Sequence, residues 1–346
     1  MTPEKTLIQP ILDGDRLLIT LRDGEVIELG PGLVAPGRDF SYCDLSMVKL
    51  NGANLDGCRF EDTDLSYVDL SNASLVGAEF LTDKMNDVIL IHAVLQNAVF
   101  TLDGVVERLR CIQADLSYAK FCGFGRIEHS QFTDASLFGA QFDQIDVMET
   151  DLSGCNMTGC QFRNVEFDTI KMHKTGAILA TFEECSFCDV ECFDAVLNGA
   201  RFTKCRLGFW GIELNRADLQ NANFTDCRFG PVGLIGFHAP GADFRGASFC
   251  RSQFFAANFN GAGFGGAKVV SCGFNETAQE KAAWDGATIL NSRFRLCHFK
   301  NATLQGTKFL NCSLQEALFP AVESEAATFE GCEFGPSIPK RLDEAA

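Results

Sequence analysis

Tyrosine and tryptophan are scarce in this chain of 346 residues, with 3 and 2 respectively beside 32 phenylalanines. No apolar run approaches the roughly 18 residues a membrane-spanning helix needs, so no membrane partner is expected. The opening Met1-Thr-Pro-Glu-Lys-Thr-Leu lacks a basic segment followed by an apolar one. No secretory signal is therefore expected, and a cytoplasmic location is. Positive charge is short as well: 29 Lys and Arg face 46 Asp and Glu, a net charge of −17. Direct nucleic-acid binding needs cations to neutralise phosphates, so it is not expected. What the chain does have is 46% hydrophobic residues, 32 glycines and 16 cysteines, enough for a large folded core.

Self-similarity appears at a period of five. Leu or Phe stands at 40, 45, 50, 55, 60, 65, 70, 75 and 80, followed by Met85, Leu90, Leu95 and Phe100. Two residues before these centres comes something small: Cys43, Val48, Ala53, Cys58, Thr63, Val68, Ala73 and Ala78. The pattern continues to Phe334. Five is neither a helical period nor compatible with a flat strand that buries one face, because strand side chains alternate. A chain that turns a corner every five residues satisfies both constraints. Each side then buries its centre, i, and the small residue at i−2, and turns i−1, i+1 and i+2 outward.

Four such sides close a square coil of 20 residues, so one wall should repeat its residue every 20. Phe does so at 40, 60, 80, 100, 121, 142, 162, 182, 202, 224, 244 and 264, with Trp284 next. Rings so placed stack along a ladder, and each offset pair adds about 0.5–1.5 kcal/mol beyond burial. These features resemble the pentapeptide-repeat family. The resemblance implies an all-β fold, a right-handed quadrilateral parallel β-helix, here of about 15 coils over residues 38–335.

Residues 1–37 lack the repeat. Leu17–Leu21 and Glu25–Leu29 flank Asp23-Gly24, and Asp13-Gly14 offers a second turn, so a small β-meander is expected there. Such a cap covers the open end of a solenoid; a recruitment module is the alternative. Residues 336–346 are expected to form a short tail, leaving the C-terminal coil to a partner such as a second copy. Asn275–Gly286 is either a projecting loop, with Thr277 and Glu280 capping a helix, or an ordinary coil with Trp284 in the ladder.

Register also decides the chemistry. Eleven cysteines (43, 58, 155, 160, 185, 205, 227, 272, 297, 312 and 332) fall at i−2, Cys111 and Cys192 at centres, and only Cys122, Cys188 and Cys250 face outward. Cys185, Cys188 and Cys192 have a spacing that suits zinc, but they point to opposite sides of the wall. Gly261–Lys268 superficially resembles a phosphate loop, yet no helix follows it, and the five histidines have no nucleophile partners. No enzyme activity, metal or cofactor is expected.

Function is then expected on the outer surface. Residues 1–207 carry −15 and residues 208–346 carry −2. On the wall after the Phe ladder, with centres assigned to 45, 65, 85, 105, 127, 147, 167, 187, 207, 229, 249, 269, 289, 309 and 329, outward positions change sign. Asp44, Asp64, Asp146, Glu149, Glu166, Asp168 and Asp189 give way to Arg206, Arg228, Arg251, Lys268 and Lys308. Asp at i−1 is on one reading simply part of the repeat. A second candidate surface is an apolar patch at Ile89, Ile91, Val94 and Val99. The expected function is a protein-interaction scaffold, with a second copy laid antiparallel along the wall as one partner. The alternative rests on resemblance to the quinolone-resistance branch of the family, whose acidic, DNA-mimicking dimers dock on DNA gyrase, a type II topoisomerase. Duplex DNA presents a charge about every 1.7 Å, denser than this wall.

Overall fold

The structure, a computed structural model, describes residues 6–207, 212–214, 216–229, 237–255, 257–319 and 327–335. The expected tail, 336–346, lies outside the described residues. The chain divides into two compact units, 1–166 and 167–346. Each is built mainly of short parallel strands, and the described residues contain no helix. The fold is a parallel β-solenoid of about 13 turns, slightly fewer than the 15 or so expected.

Each corner is a tight turn. At Leu50–Ala53 the Ala53 N–H donates to the Leu50 carbonyl at 3.0 Å, with Gly52 at φ +72°. A positive φ at the third residue defines the type II turn. Non-glycine residues take the same conformation at other corners, among them Met47 (φ 61°), Tyr67 (62°), Thr169 (56°) and Leu179 (57°). Each such residue costs about 1–2 kcal/mol. The strain is offset by hydrogen bonds between coils, as where Leu50 N–H donates to Asp69 O and Gly52 N–H to Ser71 O, both at 2.8 Å. Side chains at i−1 brace the corner too. Asp44, Asp64, Asp69 and Asp151 each accept a hydrogen bond from the backbone N–H two residues on, at 2.9–3.0 Å, the Asx-turn arrangement.

In the first unit the Phe ladder is continuous. Phe40, Phe60, Phe80, Phe100, Phe121, Phe142 and Phe162 stack with centroids 4.5–5.6 Å apart. The intervals of 21 arise at one corner in successive coils. Residues 103–104 add one residue after Leu102, which makes Val106 rather than Val105 the buried centre there: Val106 is fully buried and Val105 is 37% exposed. In the next coil Gly123, Phe124 and Gly125 repeat the bulge, with Gly123 in register with Leu102. Phe124 projects outward, 75% exposed.

The second unit departs from the expected register. Phe182, Phe202 and Phe224 stack at 4.7 Å, but the next ring on that wall is Phe249, at 5.1 Å, not Phe244. That coil takes 25 residues, one whole side more, and part of it, 230–236, lies outside the described residues. From there the ladder wall continues as Val269, Ile289, Phe309 and Phe329. Phe244, Phe264 and Trp284 form a separate stack on the preceding wall, in line with Leu219. Residues 275–286 form an ordinary coil rather than a loop or helix. Trp284 is fully buried, and its indole N–H donates to the buried Gln279 amide oxygen at 3.1 Å.

The expected meander forms in the first unit. Strands β1 (Ile11–Asp13), β2 (Arg16–Thr20) and β3 (Val26–Leu29) pair antiparallel. Ile19, Leu21, Ile27 and Leu29 bury one face. The segment is tied to the first coil by the Ile8–Cys43 bridge, the Arg38–Glu25 ion pair at 2.9 Å and Arg22 over the Tyr42 ring at 4.6 Å. Phe40, the first ladder ring, is fully covered.

Gly123 supplies a direct test of the bulge. A Cβ there would stand 2.0 Å from the Leu102 carbonyl oxygen, and φ is +117°. Gly123→Ala is expected to destabilise the protein by about 2–3 kcal/mol, read as a lower denaturant midpoint in equilibrium unfolding. An unchanged midpoint would contradict this packing.

Candidate interaction surface

The acids of the expected stripe in the first unit are partly committed to the fold. Asp44 and Asp64, bridged in adjacent coils, both brace their own turns. Burial raises the Asp44 carboxyl, but hydrogen bonds from Ser46 outweigh it and hold the group below the usual carboxylate range. Asp146 accepts the Glu166 backbone N–H at 3.1 Å, and Glu149 meets His129 at 3.0 Å. Of the acids in the second unit, Asp168 accepts the Thr169 hydroxyl at 3.2 Å and Asp189 occupies a corner at φ 51°.

The cations do not share one wall as expected. Arg206 and Arg228 lie side by side in register on the wall after the ladder. Past the long coil that wall continues through Gln253, Gly273, Arg293 and Ser313. Lys268 and Lys308 belong instead to the ladder wall, in the column that runs from Arg201 through Asn223 and Ser248. Arg251 sits at the corner between these walls and grips Asp226 with two nitrogens, at 2.5 and 2.7 Å. One coil below, Lys204 pairs with Glu184 at 2.7 Å.

Two adjoining walls of the second unit therefore carry outward Arg201, Lys268 and Lys308 in one column and Arg206 and Arg293 in the other, with no carboxylate in either column between Arg201 and Ser313. Arg201, Arg206, Lys268, Arg293 and Lys308 are exposed and have no ion-pair partner among the described residues. Arg293 and Arg201 were not singled out from the sequence, since the displaced register hid their neighbours. A polar groove of about 350 Å³ lies on the same face, bounded by Asn291, Arg293, Asn311, Gly331 and Glu333.

The apolar patch does not hold together. Ile89, Ile91, Val94 and Val99 are half-buried and spread over three walls. Polar or charged residues stand on both sides of three of them: Asp69 and Arg110 beside Ile89, Ser74 and Asp115 beside Val94, Glu79 and Lys120 beside Val99. A corner that turns every five residues parts outward side chains that are close in sequence.

The cysteines follow register with two exceptions. Cys188 is buried, at 8% exposure, because its strand Ser186–Glu191 runs on through the corner; Cys332 is half-exposed. Thiols at i−2 donate to the carbonyl of the centre 23 residues earlier: Cys58 to Ala35 at 3.0 Å, Cys155 to Phe132 and Cys160 to Leu137 at 2.8 Å. Thr63 and Thr307 hydroxyls make the same contact with Phe40 and Trp284. Burial pushes Cys43, Cys155, Cys160 and Cys192 up to about 12. Among the described residues no three His, Cys, Asp or Glu side chains converge on a metal position, and no helix is long and apolar enough to cross a membrane.

The pentapeptide-repeat model (Pentapeptide repeats) matches the sequence in eight copies over residues 39–80, 130–168 and 239–269. These segments of the chain carry pentapeptide repeats. No curated protein matches it. Similar solved structures include QnrB1, a plasmid-mediated fluoroquinolone resistance protein, at 17% identity over 70% of this chain and 96% of that one, TM-score 0.36. Another is HetL from the cyanobacterium Nostoc sp. strain PCC 7120, a pentapeptide repeat protein involved in heterocyst differentiation regulation. Its identity is 19% over 80% of this chain and 87% of that one, TM-score 0.17. At these identities neither partner nor role transfers.

Brief treatment of the native protein with iodoacetamide is expected to label Cys122, Cys250 and Cys332, the half-exposed thiols, with the rest reacting only after unfolding. Mass spectrometry of the digest reads this, and rapid native labelling of Cys155 or Cys160 would contradict the assigned register.

Proposed function

We propose that the protein is a non-enzymatic interaction scaffold, without a cofactor, that docks an acidic protein surface on the basic face of its second unit. The observation that carries this reading is the pair of adjoining columns with exposed Arg201, Lys268, Lys308 and Arg206, Arg293, in a chain of net charge −17. Surplus cations on one face of an acidic protein steer association with an acidic partner. A second copy of the chain is the first candidate, since residues 1–207 carry −15. The topoisomerase-binding alternative calls for a surface that imitates DNA, and the basic columns repel whatever binds DNA.

Self-association is expected at low ionic strength and should be lost between about 50 and 500 mM salt, as screening shortens the reach of surface charges. The double variant Arg206→Glu, Arg293→Glu should weaken it by about tenfold or more, measured by sedimentation. A monomer at low salt removes the second copy as partner. Pull-down partners unaffected by the double variant remove the scaffold reading. An effect on DNA gyrase supercoiling would favour the alternative.

A further inference from the structure

Two stacks of cysteines are left without a role. Cys185, Cys205 and Cys227 climb one corner in successive coils, each donating its thiol hydrogen to a backbone carbonyl at 3.3–3.4 Å, and each is 1% exposed. Cys312 and Cys332 repeat the arrangement further along the same wall, donating to Ile289 at 3.5 Å and Phe309 at 3.4 Å. The residues that follow them pair in parallel register, Ser313 with Glu333 and Leu314 with Phe334, and the Glu333 N–H donates to the Cys312 carbonyl at 2.8 Å. Strand spacing then sets their Cα atoms about 4.8 Å apart, inside the roughly 4.4–6.8 Å range a disulfide spans. Both cysteines occupy the same i−2 position in adjacent coils, one directly above the other. What separates this pair from the buried stack is access, because Cys332 is half-exposed.

We propose that Cys312 and Cys332 form an oxidisable dithiol, in which a peroxide converts two stacked thiols into a disulfide that staples one coil to the next. The Cys332 thiolate attacks one peroxide oxygen and displaces hydroxide, leaving a sulfenic acid. The Cys312 thiol then attacks that sulfur, its proton leaving with the hydroxyl as water. Two thiols give up two electrons, and the peroxide is reduced to water. The neighbouring Cys312 thiol lowers the pKa of Cys332, which favours its thiolate. Cys122 and Cys250 are as open as Cys332 but have no thiol at the equivalent position one coil away: Thr101 and Asp143 flank Cys122 in register, Thr225 and Val270 flank Cys250. They can be oxidised singly but cannot close an intramolecular bridge.

The test uses the full-length Cys122→Ser, Cys250→Ser protein treated with a small excess of hydrogen peroxide. Two thiols per chain should be lost. Cleavage at glutamates, including Glu316 and Glu330 between the pair, should leave fragments joined only by a reducible Cys312–Cys332 bond. Cys312→Ser should still consume Cys332 but yield no bridge, while Cys332→Ser should leave all remaining thiols intact. Cys205→Ser should leave the bridge unaffected, which distinguishes local chemistry from general loosening. Oxidation confined to sulfinic or sulfonic acid at Cys332, bridging through other cysteines, or no reaction while Cys332 still alkylates would each overturn the proposal.

Discussion

Every other feature of this fold depends on the left-handed residue found at nearly every corner. With φ near +50 to +70° at i+2, the chain turns so that the next centre and its i−2 neighbour again face inward. Without it, alternation would throw every second centre into solvent. The cost recurs every five residues and falls on side chains as large as Met47 and Leu179. It is met coil by coil by parallel hydrogen bonds and stacked rings, which only adjacent coils can provide. A single pentapeptide therefore has no reason to hold its shape, whereas a stack does.

The same corner explains the cysteines. A centre's carbonyl accepts the backbone N–H of its own turn and has room for a second, small donor from the next coil. Thr63 gives a hydroxyl to Phe40 and Cys58 a thiol to Ala35 across the same 23-residue step. Cysteine thus behaves as a small hydrophobe that also carries a weak donor, added to the turn N–H that the same carbonyl already accepts, as at Phe132 and Leu137. A run of such sites places thiols directly above one another, so stacked cysteines follow from packing. Any reactivity is then decided by how far a stack is open to solvent.

The sequence makes the square coil, the inward set and the cap legible because all three rest on side-chain direction. It does not make the phase of the walls legible. Phe244, Phe249, Phe254, Phe259 and Phe264 occur at five-residue steps, so a coil one full side longer leaves the period of five unbroken and shifts only the period of 20. Nothing local marks the shift, since every one of these rings fits a centre. Only pairing between coils, Phe224 with Phe249 rather than Phe244, settles it. The extra residue near Val105 was hidden similarly, because Val105 and Val106 are equally apolar and one turn decides which is buried.

That phase error matters most for the surface. Assigned to one wall, the cations looked like the continuation of an acidic stripe; in their actual columns they occupy two adjoining walls. The acids and the cations also differ in how far the fold accounts for them. Asp at i−1 accepts the backbone N–H of its own turn at Asp44, Asp64, Asp69, Asp151, Asp218 and Asp243, so turn formation alone favours an acidic solenoid. No such bond calls for Arg or Lys there. The paired corner Glu184–Lys204 and Asp226–Arg251 shows that opposite charges one coil apart are readily accommodated in this unit. The unpaired cations beside that corner are therefore not called for by the turns or by pairing between coils, whereas the acids largely are.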